Sequence, residues 1–380
     1  RLCRSVRLNT TPRSKMKPID LSKLQVYPLT ERDSLAGIEE TLIDPAASPA
    51  ELSPANHEHL ERCASDIRSA RKAGASVMCI FGAHLIKNGA QSLLDRLMAK
   101  GWITHLATNG ASVIHDWEWA HHGRSTECVR SNVATGTFGA WEETGRYLHL
   151  AVLAGAVNGE GFGQSVGRMV AEDGVTLPQK AELETQLRNE PGHPLSPARA
   201  DLLQAMRQHD LAEGHHEISH KWKSSCGLAN AFGHNVPYTV HPGIGYDIIS
   251  NHPMFNGAAL GRAAQMDFAT FGGAVEGLDG GVVLSVGSAI MGPQVFEKSI
   301  SCVNNLRLQE EKPIVQDHSF YVVDIQDGGG WDWAQGEPPK DNPAYYLRFC
   351  KSYARMGGTM HYAQCDNTTF MHHLMLALDS

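Results

Sequence analysis

The stretch Ala75-Ser76-Val77-Met78-Cys79-Ile80-Phe81, running into Gly82-Ala83-His84-Leu85-Ile86-Lys87-Asn88-Gly89, decides the fold class. A short apolar run, rich in strand-forming residues, stops at a glycine-bearing polar corner, and a helix-like segment follows. The same unit recurs. Trp102–Ala107 ends in Thr108-Asn109-Gly110, and Val236–Val240 ends in His241-Pro242-Gly243-Ile244-Gly245-Tyr246-Asp247. Gly281–Val286 ends in Gly287-Ser288, and Ser319–Ile325 runs on to Asp327-Gly328-Gly329-Gly330-Trp331-Asp332. A sixth run, Thr359–Gln364, ends in Cys365-Asp366-Asn367. Ala75 and Trp102 are about 27 residues apart, which suits a parallel βαβ crossover. Open parallel sheets bind ligands beyond the carboxyl ends of their strands, so six such corners on one edge predict one site.

Outward from these runs, Ser53-Pro54 predicts a helix start, with Gly74 as its stop. Residues 16–74 read as an N-terminal arm and this helix, and residues 75–380 as the sheet domain. A helical insertion is expected at about 125–232, between the two halves of the sheet. Residues 1–15 are basic and lack acids, and are expected to form a disordered extension ahead of Met16. The last helix is expected over Thr368–Leu378.

The chain has 380 residues, 42% of them hydrophobic, and a net charge of −8. Acidic and basic residues are interspersed, and no basic stripe offers a surface for nucleic acid. Leu150–Val157, the longest apolar stretch, is far short of the roughly 20 residues of a membrane helix. Eight cysteines without a CxxC pair suggest reduced thiols and a cytoplasmic setting.

Two motifs are set aside. Gly159-Glu160-Gly161-Phe162-Gly163 follows a helical stretch rather than a strand, so it reads as an inter-helix loop and not a dinucleotide turn. His216-Glu217-Ile218-Ser219-His220 matches HExxH, but Gly214 before it and Lys221-Trp222-Lys223-Ser224 after it argue against a zinc-binding helix.

The corner after the second run is chemically richer. His115, Asp116 and Glu118 lie close to a helix N-terminus opened by Thr108-Asn109-Gly110. His115 is the choice for general acid/base, because an imidazole titrates near neutrality. Asp116 would assist it, and Glu118 would hold substrate; both acids could equally serve the helix dipole. His241 is the second candidate base, with Asp247 and His252 in the same corner. There the His/Asp cluster could bind a divalent metal, orient a polar substrate, or cap a tight loop. Trp331 and Asp332, an aromatic wall with a carboxylate, suit a cationic or planar substrate.

Taken in order, the corners resemble deoxyhypusine synthase, an NAD-dependent enzyme that modifies a protein lysine using spermidine. Ala83–Gly89 stands where that family has an S-N-L-x-x-x-G corner. Thr108–Ala111 leading to His115-Asp116 stands for its T-A-G-G-x-E-E-D corner, and His241–Asp247 for its T-D-G-S-x-G-D loop. The resemblance implies a Rossmann-like parallel sheet with helices on both faces and a homo-oligomer, dimer or tetramer. It also implies NAD held by Gly82, His84, Lys87, Asn88, Thr108, Asn109, Gly110, Gly287, Ser288, Asp366 and Asn367, and matches Asp247 and Asp332 to acids that grip the polyamine. The chain departs from the family where its lysine should stand, offering Tyr345-Tyr346-Leu347-Arg348-Phe349 instead. Arginine stays protonated and cannot form the imine. The expectation is therefore an NAD-dependent transferase or oxidoreductase acting on a small, possibly amine-bearing metabolite, without hypusine formation and with no metal assigned. The alternatives are a metal-dependent hydrolase or lyase using His84, His115, Asp116, His241 and Asp247, and a non-catalytic nucleotide sensor.

Overall fold

The structure, a computed structural model, describes residues 17–380. The expected extension over residues 1–15 lies outside the described residues. Six strands form one parallel sheet: β1 Val77–Phe81, β2 His105–Thr108, β3 Tyr238–Val240, β4 Val282–Val286, β5 Ser319–Asp324 and β6 Thr359–Gln364. Each falls within one of the six runs or beside its end. Their order across the sheet is β3-β2-β1-β4-β5-β6. That is the doubly wound order in which the chain reverses direction between β1 and β4, and where a crevice opens at the strand ends.

Alternation along the strands divides the core. Val77, Cys79 and Phe81 of β1 join Leu284 and Val286 of β4 on one face, while Met78, Ile80, Val283 and Phe320 join the other. Both faces are covered, which is why β1 and β4 are buried at every position and read as continuous apolar runs. The helices that position the site are α1 Pro54–Ala73, α2 Ala83–Lys87, α3 Gln91–Ala99, α4 Gly110–His122, α5 Glu142–Ala156, α6 Phe162–Ala171, α7 Gly227–Gly233, α8 Gly257–Glu276, α9 Met291–Gln309 and α10 Asn367–Asp379. α1 and α10 pack on the first face, and Phe271 of α8 and Phe296 of α9 on the second. α1 obeys its signals: Ser53 Oγ accepts from Asn56 N at 3.2 Å, and Gly74 ends the helix at φ +76°.

The segment between β2 and β3 is more than helices. Gly174–Leu177 and Gly214–Glu217 pair as an antiparallel ladder that closes off the helices Lys180–Asn189 and Ser196–Gln208. His216 and Glu217 therefore sit on a strand and His220 lies beyond its end, so the segment is not the helix on which HExxH would set both imidazoles one turn apart. Gly159, Glu160 and Gly161 lie in the loop joining α5 to α6, and Phe162 and Gly163 already belong to the first turn of α6. The arm is tied to this region too: Ala36–Gly37 pairs with Arg124–Ser125, and Tyr27 bridges Trp141. No helix among the described residues is long and apolar enough to cross a membrane.

Candidate functional site along the carboxyl edge of the sheet

Because the six strands are parallel and in register, their carboxyl ends lie on one edge. At the point of reversal the corners of β1 and β4 nearly touch. A methyl built on Gly82 would overlap the Gly287 carbonyl oxygen, and one on Gly287, whose φ is +59°, would overlap the Asn367 amide. Only glycine lets the backbones approach this closely. Asn367 Oδ1, buried at this corner, has no partner among the described residues. Ser288 Oγ accepts from Gly292 N at 3.0 Å, closing the first turn of α9. Asp366 caps α10: its Oδ1 accepts from Thr369 N at 2.8 Å and from the Thr368 and Thr369 hydroxyls at 2.6 and 2.9 Å. Partial burial works against the charge of Asp366, but these hydrogen bonds outweigh it and hold the carboxyl below its ordinary pKa. Gly82, Gly287, Ser288, Asp366 and Asn367 are thus gathered at or beside the crevice.

The second cluster surrounds a cavity of about 300 Å³ on the β1–β2–β3 side. Lys87, His115, Glu118, Thr126, Glu127 and Asp247 contribute to its lining. α4 brings His115 to it, and the loop after β3 brings Asp247 so close that a methyl on Gly110 would overlap its carboxylate. Gly243 N donates to Asp247 Oδ2 at 2.7 Å, yet burial dominates and pushes this carboxyl up to about 6. Lys87 has no carboxylate partner among the described residues, so its charge is free to meet a ligand.

His115 is held by a chain of hydrogen bonds. Its Nδ1 lies 2.7 Å from Ser125 Oγ, and Ser125 Oγ donates to Glu118 Oε2 at 2.6 Å. Arg32, from the N-terminal arm, grips Glu118 with two parallel bonds of 2.7 and 2.8 Å. Thr144 Oγ1 adds a third donor at 2.9 Å. Both side chains of the ion pair are 1% exposed. Burial is the largest single influence and would raise the Glu118 pKa, but Arg32, Ser125 and His115 together outweigh it and the carboxyl is held below its ordinary value. For His115, burial is the main influence and lowers its pKa. The Glu118 charge opposes this, while Lys87, Arg32 and His84 reinforce it. At neutral pH the ring is therefore an uncharged base.

Several of the expected site residues lie away from this cavity or have their polar atoms already engaged. Asp116 follows His115 by one residue and so leaves α4 in a different direction. It is fully buried and accepts from Gly227 N and Leu228 N at 3.0 and 2.8 Å, capping α7. With burial dominant its pKa rises to about 6, but it does not line the cavity. His241 turns toward α8, its ring edge-to-face with Phe271 at 5.3 Å and Nε2 at 3.2 Å from Thr239 Oγ1. Glu118 has its oxygens taken by Arg32, Ser125 and Thr144. Thr108 is buried, its hydroxyl bonded to Phe81 O at 2.8 Å and Ser112 Oγ at 2.6 Å. Asn109 caps α4 by accepting from Ser112 N at 3.0 Å. His84 and Asn88 are exposed on and after α2. Trp331 and Asp332 line a different cavity, of about 690 Å³, together with His59, Arg62 and His361. Among the described residues no group of three or more His, Cys, Asp or Glu is placed to hold a metal.

Sequence reasoning missed Arg32, Ser125 and Thr126. Arg32 is 86 positions from Glu118, and nothing local announces their pairing. Thr126 adopts φ +70°, which is strained for a β-branched residue, and its buried hydroxyl has no partner among the described residues.

No family model matches the chain, and no curated protein is similar to it. Among solved structures, unliganded AgrE is similar at 15% identity and a TM-score of 0.42, over 87% of this chain and 34% of that one. AgrE in a ternary complex with ornithine and NAD+ gives 14% identity and a TM-score of 0.40, over 86% of this chain and 34% of that one. A conserved putative LOR/SDH protein from Methanococcus maripaludis S2 gives 15% and 0.39, over 89% of this chain and 73% of that one. The chain spans about a third of the length of the AgrE structures. At this distance the likeness decides nothing about activity. None of these three is described as a deoxyhypusine synthase.

Proposed function

We propose that the protein is an NAD-dependent oxidoreductase acting on a small, amine-bearing metabolite. The observation that carries this reading is the Gly82–Gly287–Asn367 corner. There two backbones approach closely at the reversal point of a doubly wound sheet, beside an unpartnered amide oxygen. The residues fit a dinucleotide. Asp366 Oδ2 and Asn367 Oδ1 are acceptors for ribose hydroxyls, and the paired glycines bring the ends of β1 and β4 together at the crevice where a dinucleotide would lie. Bound NAD would supply the hydride acceptor.

The chain's own side chains supply the rest. His115, neutral at working pH, offers Nε2 to take a proton from the substrate amine. Asp247 orients the amine, and Lys87 meets a negatively charged group of the substrate or of the dinucleotide. Phe138 and Ile248 give the cavity apolar wall and help keep water from it. The metal-dependent alternative needs His84, His115, Asp116, His241 and Asp247 together. Asp116 and His241 point elsewhere, so that reading is not kept.

The test is a thermal-shift and calorimetric titration with NAD, NADP and FAD, followed by absorbance assays of nicotinamide reduction over a panel of amines and amino acids. NAD at 100 times its Kd should stabilise the protein by about 2.7 kcal/mol. No response to any nucleotide would overturn the proposal.

A further inference from the structure

We propose that Ser125 is a positioning residue that fixes His115 in the tautomer with its proton on Nδ1, so that Nε2 presents a lone pair to the cavity. The role in proton transfer rests on the function proposed above; the tautomer does not.

The argument follows from counting hydrogens along the chain of bonds. Glu118 is buried in a bidentate pair with Arg32 and is therefore an ionised, acceptor-only group. The 2.6 Å contact between Ser125 Oγ and Glu118 Oε2 must then be made with the serine hydrogen. A hydroxyl has one hydrogen. Toward His115 Nδ1, at 2.7 Å, Ser125 can only accept. Nδ1 must donate, and in a neutral ring Nε2 is left bare. The tautomer is set by a third residue, as the orientation of catalytic imidazoles generally is.

The fold spends two separate devices on this arrangement. Ser125 is fixed by a two-residue strand whose partner, Ala36, belongs to the arm. The same arm delivers Arg32, which is further held by Ser34 Oγ at 2.9 Å. When Nε2 takes a proton, the Nδ1–H bond to Ser125 lines the new positive charge up with Glu118. Lys87, His84 and Arg32 oppose that charge, as burial does, and Glu118 favours it. The ring thus stays neutral at rest and is charged only while it holds the transferred proton.

The experiment is long-range 15N–1H correlation of histidine rings in the full-length labelled protein at neutral pH, with His115 assigned by its loss in His115→Gln. The expected pattern is a pyrrole-type Nδ1 and a pyridine-type Nε2. In Ser125→Ala the pattern should invert, because free histidine prefers the proton on Nε2, and turnover of any identified substrate should fall about tenfold or more. A native His115 protonated on Nε2 overturns the proposal, whether or not Ser125→Ala folds. An unchanged pattern in folded Ser125→Ala overturns the role of Ser125. The predicted tautomer in a protein that does not respond to NAD would leave this inference standing and remove the proposed function instead.

Discussion

Gly82 at the end of β1 and Gly287 at the end of β4 are so close that a methyl group on the first would overlap the carbonyl oxygen of the second. The neighbour is backbone, flanked by two strands paired from Val77↔Val282 to Phe81↔Val286, so it has little freedom to withdraw. Gly82→Ala should therefore destabilise the fold by about 1–3 kcal/mol, read as a shift in the urea midpoint. An unshifted midpoint would mean that the corner is looser than described.

The Arg32–Glu118 pair gives a second prediction. Removing one member leaves a buried charge unpaired, at about 3–5 kcal/mol, so Arg32→Met should be severely destabilised. Arg32→Met combined with Glu118→Leu should regain most of that loss. Glu118 has its pKa lowered from 4.5, so its contribution is complete above that value and is lost as pH falls through the lower folded-state value. Acid titration of the two single variants and the double variant by circular dichroism measures both effects.

Asp267 on α8 accepts from Phe162 N, Gly163 N and Val240 N at 3.0, 3.2 and 2.9 Å, joining α6 and β3. Burial nevertheless dominates and raises its pKa from 3.8 to about 7. Between those values the folded chain holds a proton that the unfolded chain has released, so this group's contribution falls as pH rises through the window. The melting temperature of Asp267→Asn relative to the native protein should climb from pH 4 to pH 7 and then level off. A difference independent of pH would contradict the account.

Thr126 offers a trade between stability and use. At φ +70° a glycine is unstrained, so Thr126→Gly should stabilise the fold by about 1 kcal/mol. Strain at the cavity wall, beside Ser125, is consistent with a residue kept for the site. Thermal melts of the variant decide the sign.

The sheet was legible because it is parallel and covered on both faces. Strands such as Val77–Phe81 and Val282–Val286 must be apolar at every position, and each must end in a corner that lets the chain turn. The termini of α1 were legible for a local reason, since Ser53, Pro54 and Gly74 act on their own neighbours. The hairpin Gly174–Leu177/Gly214–Glu217 was not: it is short, polar and separated by two helices. At the site, His115 and Asp247 could be picked out from their corners. Direction could not, and neighbouring residues diverge: His115 meets the cavity while Asp116 caps α7. Arg32 and Ser125 were hidden because their partners are fixed by tertiary packing, with no local pattern to mark them.

The most direct measurement is calorimetric titration of NAD into the native protein and into Asn367→Ala. Asn367 is the first residue of α10, so its loss should leave the fold intact, while the amide beside Gly287 disappears. The account predicts saturable binding to the native protein and binding at least about tenfold weaker, a loss of about 1.4 kcal/mol, in the folded variant. Equal affinity in both, or no heat of binding in the native protein, would contradict it.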